Sequence, residues 1–521
     1  MTAVTTAAAT RTVMVGSGPL AAADVVSVAR EDARVALAPD AVKEIARGRE
    51  VIERLADDSA PHYGISTGFG ALAGRRIPPG ARVLLQRGLV RSHAAGSGPE
   101  VEREVVRALL VLRLSTLATG HTGVRTRTAR VYADLLNAGI TPVVHEYGSL
   151  GCSGDLAPLA HCALAAMGEG TVRDAQGTLM PAAQALEAAG ITALDLAEKE
   201  GLSLINGTDG MLGMLVLALA DLRLLLRTAD ITALSVEAQL GTDAAFAADL
   251  QALRPHPGQS ESAANLRALL AGSQIIGEHR REECGCVQDA YSLRCAPQVH
   301  GAARDTLAHA EGVASRELAS AVDNPVVTLD GRLASNGNFH GAPVACVLDF
   351  LAISVADVAS MAERRTDRTL DPARSHGLPA FLAADPGVDS GHMIAQYTQA
   401  AVVSELKRLA APASVDSIPS SAMQEDHVSM GWSAARKLRR ALDGLARVLA
   451  MELHTSARAL DLRAPLRPSP GTAAVRDGLR ETVPGPGPDR YLAPEIEATL
   501  EYVVSGRALA AAQSAVGRAL A

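Results

Sequence analysis

From residue 208 to 240 the chain runs almost without a helix breaker after Gly213 and is apolar on most faces. A segment of that length without a polar stripe predicts a long helix enclosed by other helices. Comparable stretches at 343–365, 395–410 and 433–462 repeat the pattern, and such lengths suit a helical bundle or packing between chains. Ala, Leu and Val dominate while aromatic residues make up 2% of the chain, a bias toward helix because Ala and Leu lose little on entering one. The expected fold is mainly α.

At 521 residues the chain exceeds one compact core, so two or three subdomains or one very extended helical body are expected. Gly and Pro cluster at 64–80, 139–154, 255–258 and 465–488, marking loops, the last a candidate linker to a small C-terminal helical region. The expected division is 1–205, a central long-helix region at 206–463, and 464–521 as linker and C-terminal helical region. From 100 to 118, Val101, Val105, Leu109 and Leu112 fall opposite Glu102, Arg103 and Arg107, the 3.6-residue pattern of an amphipathic helix. Val13-Met14-Val15-Gly16-Ser17-Gly18 lacks the third glycine and βαβ setting of a dinucleotide loop and reads as a turn.

The formal net charge is −8 with both signs mixed along the chain, which gives no case for nucleic acid. The opening, 1–12, is an Ala/Thr-rich tail and not a secretory signal. The apolar run 211–220 meets Asp221, Arg223 and Arg227 before it could span a bilayer, so no membrane is expected. Six cysteines without a CxxC pair suit a reducing compartment, and the expected location is the cytoplasm. The Cys284/Cys286 pair is weak evidence for a metal, and none is assigned.

The most informative segment is Gly148-Ser149-Leu150-Gly151-Cys152-Ser153-Gly154-Asp155, leading to Pro158 and His161. Alone it reads as a glycine-rich turn whose Ser153 or Asp155 caps a helix starting near Pro158. The longer string resembles the electrophile-forming segment of the aromatic amino-acid ammonia-lyase family, the histidine and phenylalanine ammonia-lyases. The resemblance implies that the Gly154 nitrogen closes onto the Cys152 carbonyl and that loss of two waters leaves a methylidene-imidazolone, with no external cofactor. The residue types suit that chemistry. Glycine alone lets its nitrogen approach so closely without a Cβ, and serine supplies a β-hydroxyl to eliminate.

Four further segments carry the resemblance. Tyr63-Gly64-Ile65-Ser66-Thr67-Gly68 is similar to the family's tyrosine loop, which makes Tyr63 the expected β-proton base. Asn206-Gly207-Thr208 is similar to a substrate-contacting segment, although Asn206 could instead cap the helix that follows. Gln288, Tyr291 and Arg294 sit in a run similar to the family's arginine motif. There Arg294 would fork the substrate carboxylate, Gln288 and Tyr291 would line the pocket, and Tyr291 counts among the catalytic set. Asp323-Asn324-Pro325 and Ser335 to Gly341 resemble the segment that brings Phe339 beside the electrophile.

Two places bear on the substrate. Ser92-His93 and Gln424-Glu425 resemble the histidine-specific branch, because an imidazole N–H wants an acceptor and Glu425 supplies a strong one. The resemblance therefore implies elimination of ammonia from L-histidine to trans-urocanate, with Glu425 able to act as acid or base and His93 and Gln424 binding the substrate. A phenylalanine or tyrosine ammonia-lyase or an aminomutase on the same scaffold, and a non-catalytic helical homologue, remain the alternatives. Asp209 and Met423 depart from the residues common in the family. The family fold implied is an elongated bundle of long helices with a fumarase/aspartase-like core and a smaller N-terminal domain carrying the loops. It is a homotetramer with shared active sites.

Overall fold

The computed structural model describes residues 11–279 and 287–521, so Cys284, Cys286 and most of the N-terminal tail lie outside the described residues. Among the described residues there are twenty-one α-helices and only short strands, in keeping with the mainly α reading. Two compact units form, each from separated segments: Met1–Leu217, Glu311–Leu348 and Pro412–Arg436 make the first, and Ala218–Ala310, Asp349–Ala411 and Lys437–Ala521 the second.

In the first unit the segment read as a turn contains a strand. Thr12–Val15 pairs in parallel with Arg34–Leu37, and the helix Ala22–Arg30 connects them. The strand is half-buried in alternation, Val13 and Val15 inward, but four residues are too few for that period to register. The βαβ setting exists after all, yet its loop is already engaged: Ser17 donates its N–H and hydroxyl to Asp40 Oδ2 at 2.9 and 2.8 Å.

The helix Arg103–Ala118 is buried from Val105 to its end, so the amphipathic expectation fails at Arg107. Arg107 is 1% exposed and donates to the carbonyls of Val28 and Leu136. A guanidinium with five donors can be buried where backbone acceptors meet it. Arg113, further along the same helix, is fully buried and donates to the carbonyls of Ser203, Asn206 and Val322.

The long apolar segment forms the helix Asp209–Asp230, which stops short of residue 240 and is followed by the separate helix Ala233–Ala238. The other long helices are Ala342–Leu370, Met393–Leu409 and Gly431–Asp461. Ala342–Leu370 is, among the described residues, the one helix long and apolar enough to cross a membrane, and 61% of its apolar window is buried within the protein. In the second unit a buried Arg365–Glu452 pair, joined by Thr232 and Ser235, ties three helices together. The Pro/Gly-rich stretch 465–488 contains the helix Pro470–Arg480, whose N-cap Ser469 accepts the Thr472 N–H.

Candidate active site

The site lies in the first unit and is built outward from the Cys152-Ser153-Gly154 turn. Gly154 has φ +78°, and a Cβ there would lie 1.9 Å from the Gly207 carbonyl oxygen. The neighbouring Asp155 N–H donates to that same oxygen at 2.7 Å. The turn is thus clamped against the Gly207 segment, with which Gly154 forms an isolated β-bridge, by a contact only glycine permits.

Asp155 occupies the N-cap position of the helix Leu156–Ala166 but makes no side-chain cap there. Its carboxylate instead accepts the N–H groups of Gly210 and Met211, both at 2.9 Å, and the Ser149 hydroxyl at 2.8 Å. It caps the start of the other helix, Asp209–Asp230, whose first N–H groups need acceptors. The local capping expected of Ser153 or Asp155 is therefore replaced by a long-range one. Complete burial pushes the Asp155 carboxyl up to about 7 despite those donors.

Asn206 likewise does not cap through its side chain. Its Nδ2 donates to the Asn324 carbonyl at 2.8 Å, while its buried Oδ1 has no partner among the described residues. An amide oxygen left unsatisfied at a pocket wall is an acceptor waiting for a donor, because burial without a partner costs about 1–3 kcal/mol. Two buried ion pairs brace this wall: Arg113–Asp209 at 3.2 Å and Lys199–Asp323 at 2.6 Å. Burial raises the Asp209 carboxyl and lowers the Lys199 amine, so each pair depends on its partner for its charge.

Glu425 faces the triad. Its Oε2 accepts the Cys152 thiol and the Ser420 hydroxyl, both at 3.0 Å, and its Oε1 accepts the Ser153 hydroxyl at 3.1 Å. Burial, with the adjacent carboxylate, pushes the Cys152 thiol up to about 12, so it donates as a neutral group. Ser420 and Glu425 also exchange backbone hydrogen bonds across a turn in which Ser421, Ala422 and Met423 all have φ between +50° and +69°. Three successive non-glycine residues in the left-handed region hold Glu425 at this place.

A cavity of about 630 Å³ opens over these groups, lined by Tyr63, His93, Ser153, Asn206, Asn324 and Glu425 among apolar side chains. The Tyr63 hydroxyl accepts the Gly70 N–H at 3.0 Å, and its ring meets Phe69 edge-on. His93 Nδ1 lies 2.9 Å from the Leu89 carbonyl, which sets Nδ1 as the protonated nitrogen and leaves Nε2 as an acceptor. Burial lowers the His93 pKa, and the nearby Glu425 charge opposes this.

Of the residues expected at the site, Cys152 and Gly154 flank Ser153 without lining that cavity, and five others also stand outside its lining. Phe339 and Gln424 belong to the first unit, Gln424 exposed on the Ser420–Glu425 turn. Gln288, Tyr291 and Arg294 belong to the second unit and form their own cluster. Arg294 stacks over the Tyr291 ring at 4.7 Å and donates to Gln288 Oε1 at 2.8 Å. Conversely Ser149, Ser420, Arg113 and Lys199 shape the site and were not read from the sequence. Arg113 alone left a signal, a charge inside an otherwise apolar helical run.

A helical body that presents a clamped Ser-Gly turn, a tyrosine, an unsatisfied amide and a carboxylate around one cavity matches a known class. The chain belongs to the aromatic amino acid lyase family, whose model matches residues 20–481. It is 64% identical over 508 residues to the histidine ammonia-lyase of Streptomyces avermitilis, covering 97% of this chain and 99% of that one. The histidine ammonia-lyase of Sorangium cellulosum is 50% identical over 509 residues, covering 96% and 98%. Among solved structures, histidine ammonia-lyase from Trypanosoma cruzi aligns with a TM-score of 0.89 at 37% identity over 96% of this chain and 95% of that one. A tyrosine aminomutase from Streptomyces globisporus aligns at 0.92 and 39% identity, covering 98% and 100%.

Proposed function

We propose that this chain eliminates ammonia from L-histidine to give trans-urocanate, using an electrophile made from Cys152, Ser153 and Gly154. The observation that carries the reading is Glu425 and His93 lining the same cavity as Ser153 and Tyr63. An imidazole side chain needs an acceptor for its N–H, and a carboxylate beside a neutral histidine supplies one that a phenyl ring could not use. The fold by itself fits an aminomutase as well. The carboxylate and the histidine ammonia-lyase relatives favour histidine.

The residues present suit a methylidene-imidazolone. Gly154 stands where a Cβ would meet the Gly207 oxygen, Ser153 lines the cavity with its hydroxyl on Glu425 Oε1, and Asn206 Oδ1 is an acceptor without a partner among the described residues. Such a group, once formed, would draw electrons from the bound amino acid and make ammonia a better leaving group. Tyr63 would remove the β-proton, Asn206 would bind the amino-acid end, and Glu425 with His93 and Gln424 would hold the imidazole.

Arg294, with Gln288 and Tyr291, would clamp the substrate carboxylate, and Phe339 would pack beside the electrophile. These complete the site in a homotetramer whose active sites are shared between subunits. Cys152, Cys162, Cys295 and Cys346 are free thiols, which suits a cytoplasmic enzyme. Incubation with L-histidine, L-phenylalanine and L-tyrosine tests the reading. Urocanate from the first is expected, and cinnamate or coumarate in its place would overturn it.

A further inference from the structure

Closure of the triad would draw on the Cys152 carbonyl and leave its side chain unused, yet that side chain is buried and aimed. It packs with Val428 and Met430, which follow Glu425 closely in the chain, and the Met430 N–H donates to the Leu150 carbonyl at 2.9 Å. Packing and backbone thus hold this segment against the triad. The thiol donates to Glu425 Oε2 at 3.0 Å, and the Ser420 hydroxyl donates to the same oxygen at 3.0 Å.

The last torsion of a glutamate side chain is broad and soft, so two donors on Oε2 set the plane of the carboxylate. The other oxygen, Oε1, accepts the Ser153 hydroxyl at 3.1 Å. Ring formation would remove that hydroxyl as water. Oε2 would then stay occupied, while Oε1 would lose its side-chain donor beside the cavity that Ser153 and Glu425 both line.

We propose that the Cys152 thiol, with the Ser420 hydroxyl, is a positioning group for imidazole recognition: it holds Oε2 so that Oε1, vacated by maturation, receives the substrate's imidazole N–H. The proposal rests on the reading that a matured triad takes L-histidine. Burial and the adjacent carboxylate push the thiol up to about 12, so it remains a neutral donor through the working pH range. A carboxylate already fixed in rotation loses no further freedom when the imidazole arrives. The hydrogen bond to an ionised acceptor, stronger than a neutral one, is then gained without that cost. A phenyl side chain has no N–H and gains nothing from the arrangement.

The test compares full-length wild type with Cys152→Ala, Cys152→Ser, Ser420→Ala and the Cys152→Ala/Ser420→Ala double variant. Intact mass reports whether each has lost two waters, and circular dichroism whether each is folded. Ser420→Ala leaves the triad untouched and carries the test alone if Cys152→Ala does not mature. Loss of either donor should raise KM for L-histidine roughly 3- to 10-fold, with a smaller change in kcat. The inhibition constant of 3-(imidazol-4-yl)propanoate, which has the ring but no amine to lose, should rise in parallel. The double variant should exceed both singles, and Cys152→Ser, which keeps a donor, should recover most of the loss. Matured, folded Cys152→Ala and Ser420→Ala with wild-type KM and inhibition constant overturn the proposal, as does a fall in kcat without a rise in KM. A wild-type protein that has lost no water, or that makes no urocanate, overturns instead the reading on which it rests.

Discussion

Replacing Gly154 with alanine tests the clamp under the triad. The added Cβ would lie 1.9 Å from the Gly207 oxygen, and carbon contacts below 3.0 Å are essentially never seen, so the two segments must part by at least about 1.1 Å. The Asp155 N–H to Gly207 bond would stretch from 2.7 Å to about 3.8 Å and be lost. Stranding a buried N–H costs about 1–3 kcal/mol, and placing an L-residue at this φ costs about 1–2 kcal/mol. The sum, roughly 2–5 kcal/mol, corresponds to a Tm fall of about 2–5 °C for a chain of this length.

Gly190 is the control. It has φ +68° and nothing lies within 4 Å of the place a Cβ would take, so Gly190→Ala carries only the conformational cost of about 1–2 kcal/mol. Differential scanning calorimetry measures both variants, and intact mass records whether Gly154→Ala still loses two waters. A Gly154→Ala protein no less stable than Gly190→Ala, and fully dehydrated, would refute the reasoning.

Three further outcomes are expected. The Asp155 carboxyl is held near 7 against an ordinary value of 3.8, so between about pH 4 and 7 the unfolded chain ionises first and this group lowers stability as pH rises. Asp155→Asn removes that slope, and its urea midpoint relative to wild type should improve from pH 5 to pH 8; an unchanged gap contradicts this. Arg294→Lys replaces a fork by a point charge and should raise KM for L-histidine roughly 10- to 150-fold, the equivalent of about 1.5–3 kcal/mol, with the electrophile intact by mass. An unaltered KM would remove Arg294 from the site. Ala422→Gly ordinarily costs about 1 kcal/mol, but at φ +53° the relief of left-handed strain offsets it; a Tm drop of several degrees would show that the Ser420–Glu425 turn is not strained.

The long helices were legible because their signal is local. Freedom from breakers at 343–365, 395–410 and 433–462 anticipates Ala342–Leu370, Met393–Leu409 and Gly431–Asp461 within a few residues. What the sequence hides is set by partners far along the chain. Arg107 reads as a solvent-facing charge until the carbonyls of Val28 and Leu136 are brought to it. Asp155 and Asn206 read as caps of the helices that follow them, yet their partners lie 55 and 118 residues away. The two units are each assembled from three segments, a division that no shift in linear composition reports. Motif resemblance named Tyr63, Ser153, Asn206 and Glu425, while the serine that helps hold the carboxylate, Ser420, carries no such mark.

The capping of Asp209–Asp230 by Asp155 also sets a clock. The triad turn is clamped to Gly207, its neighbour Asp155 accepts the amides at 210 and 211, and the carboxylate that meets Ser153 comes 272 residues later in the chain. A nascent chain emerging from the ribosome has Cys152, Ser153 and Gly154 but neither the clamp nor the carboxylate that faces them. The ring closure proposed for the triad would therefore wait until the first unit has closed around it, and a chain that stays incomplete or misfolded would carry no electrophile to react with the cell's amines and thiols.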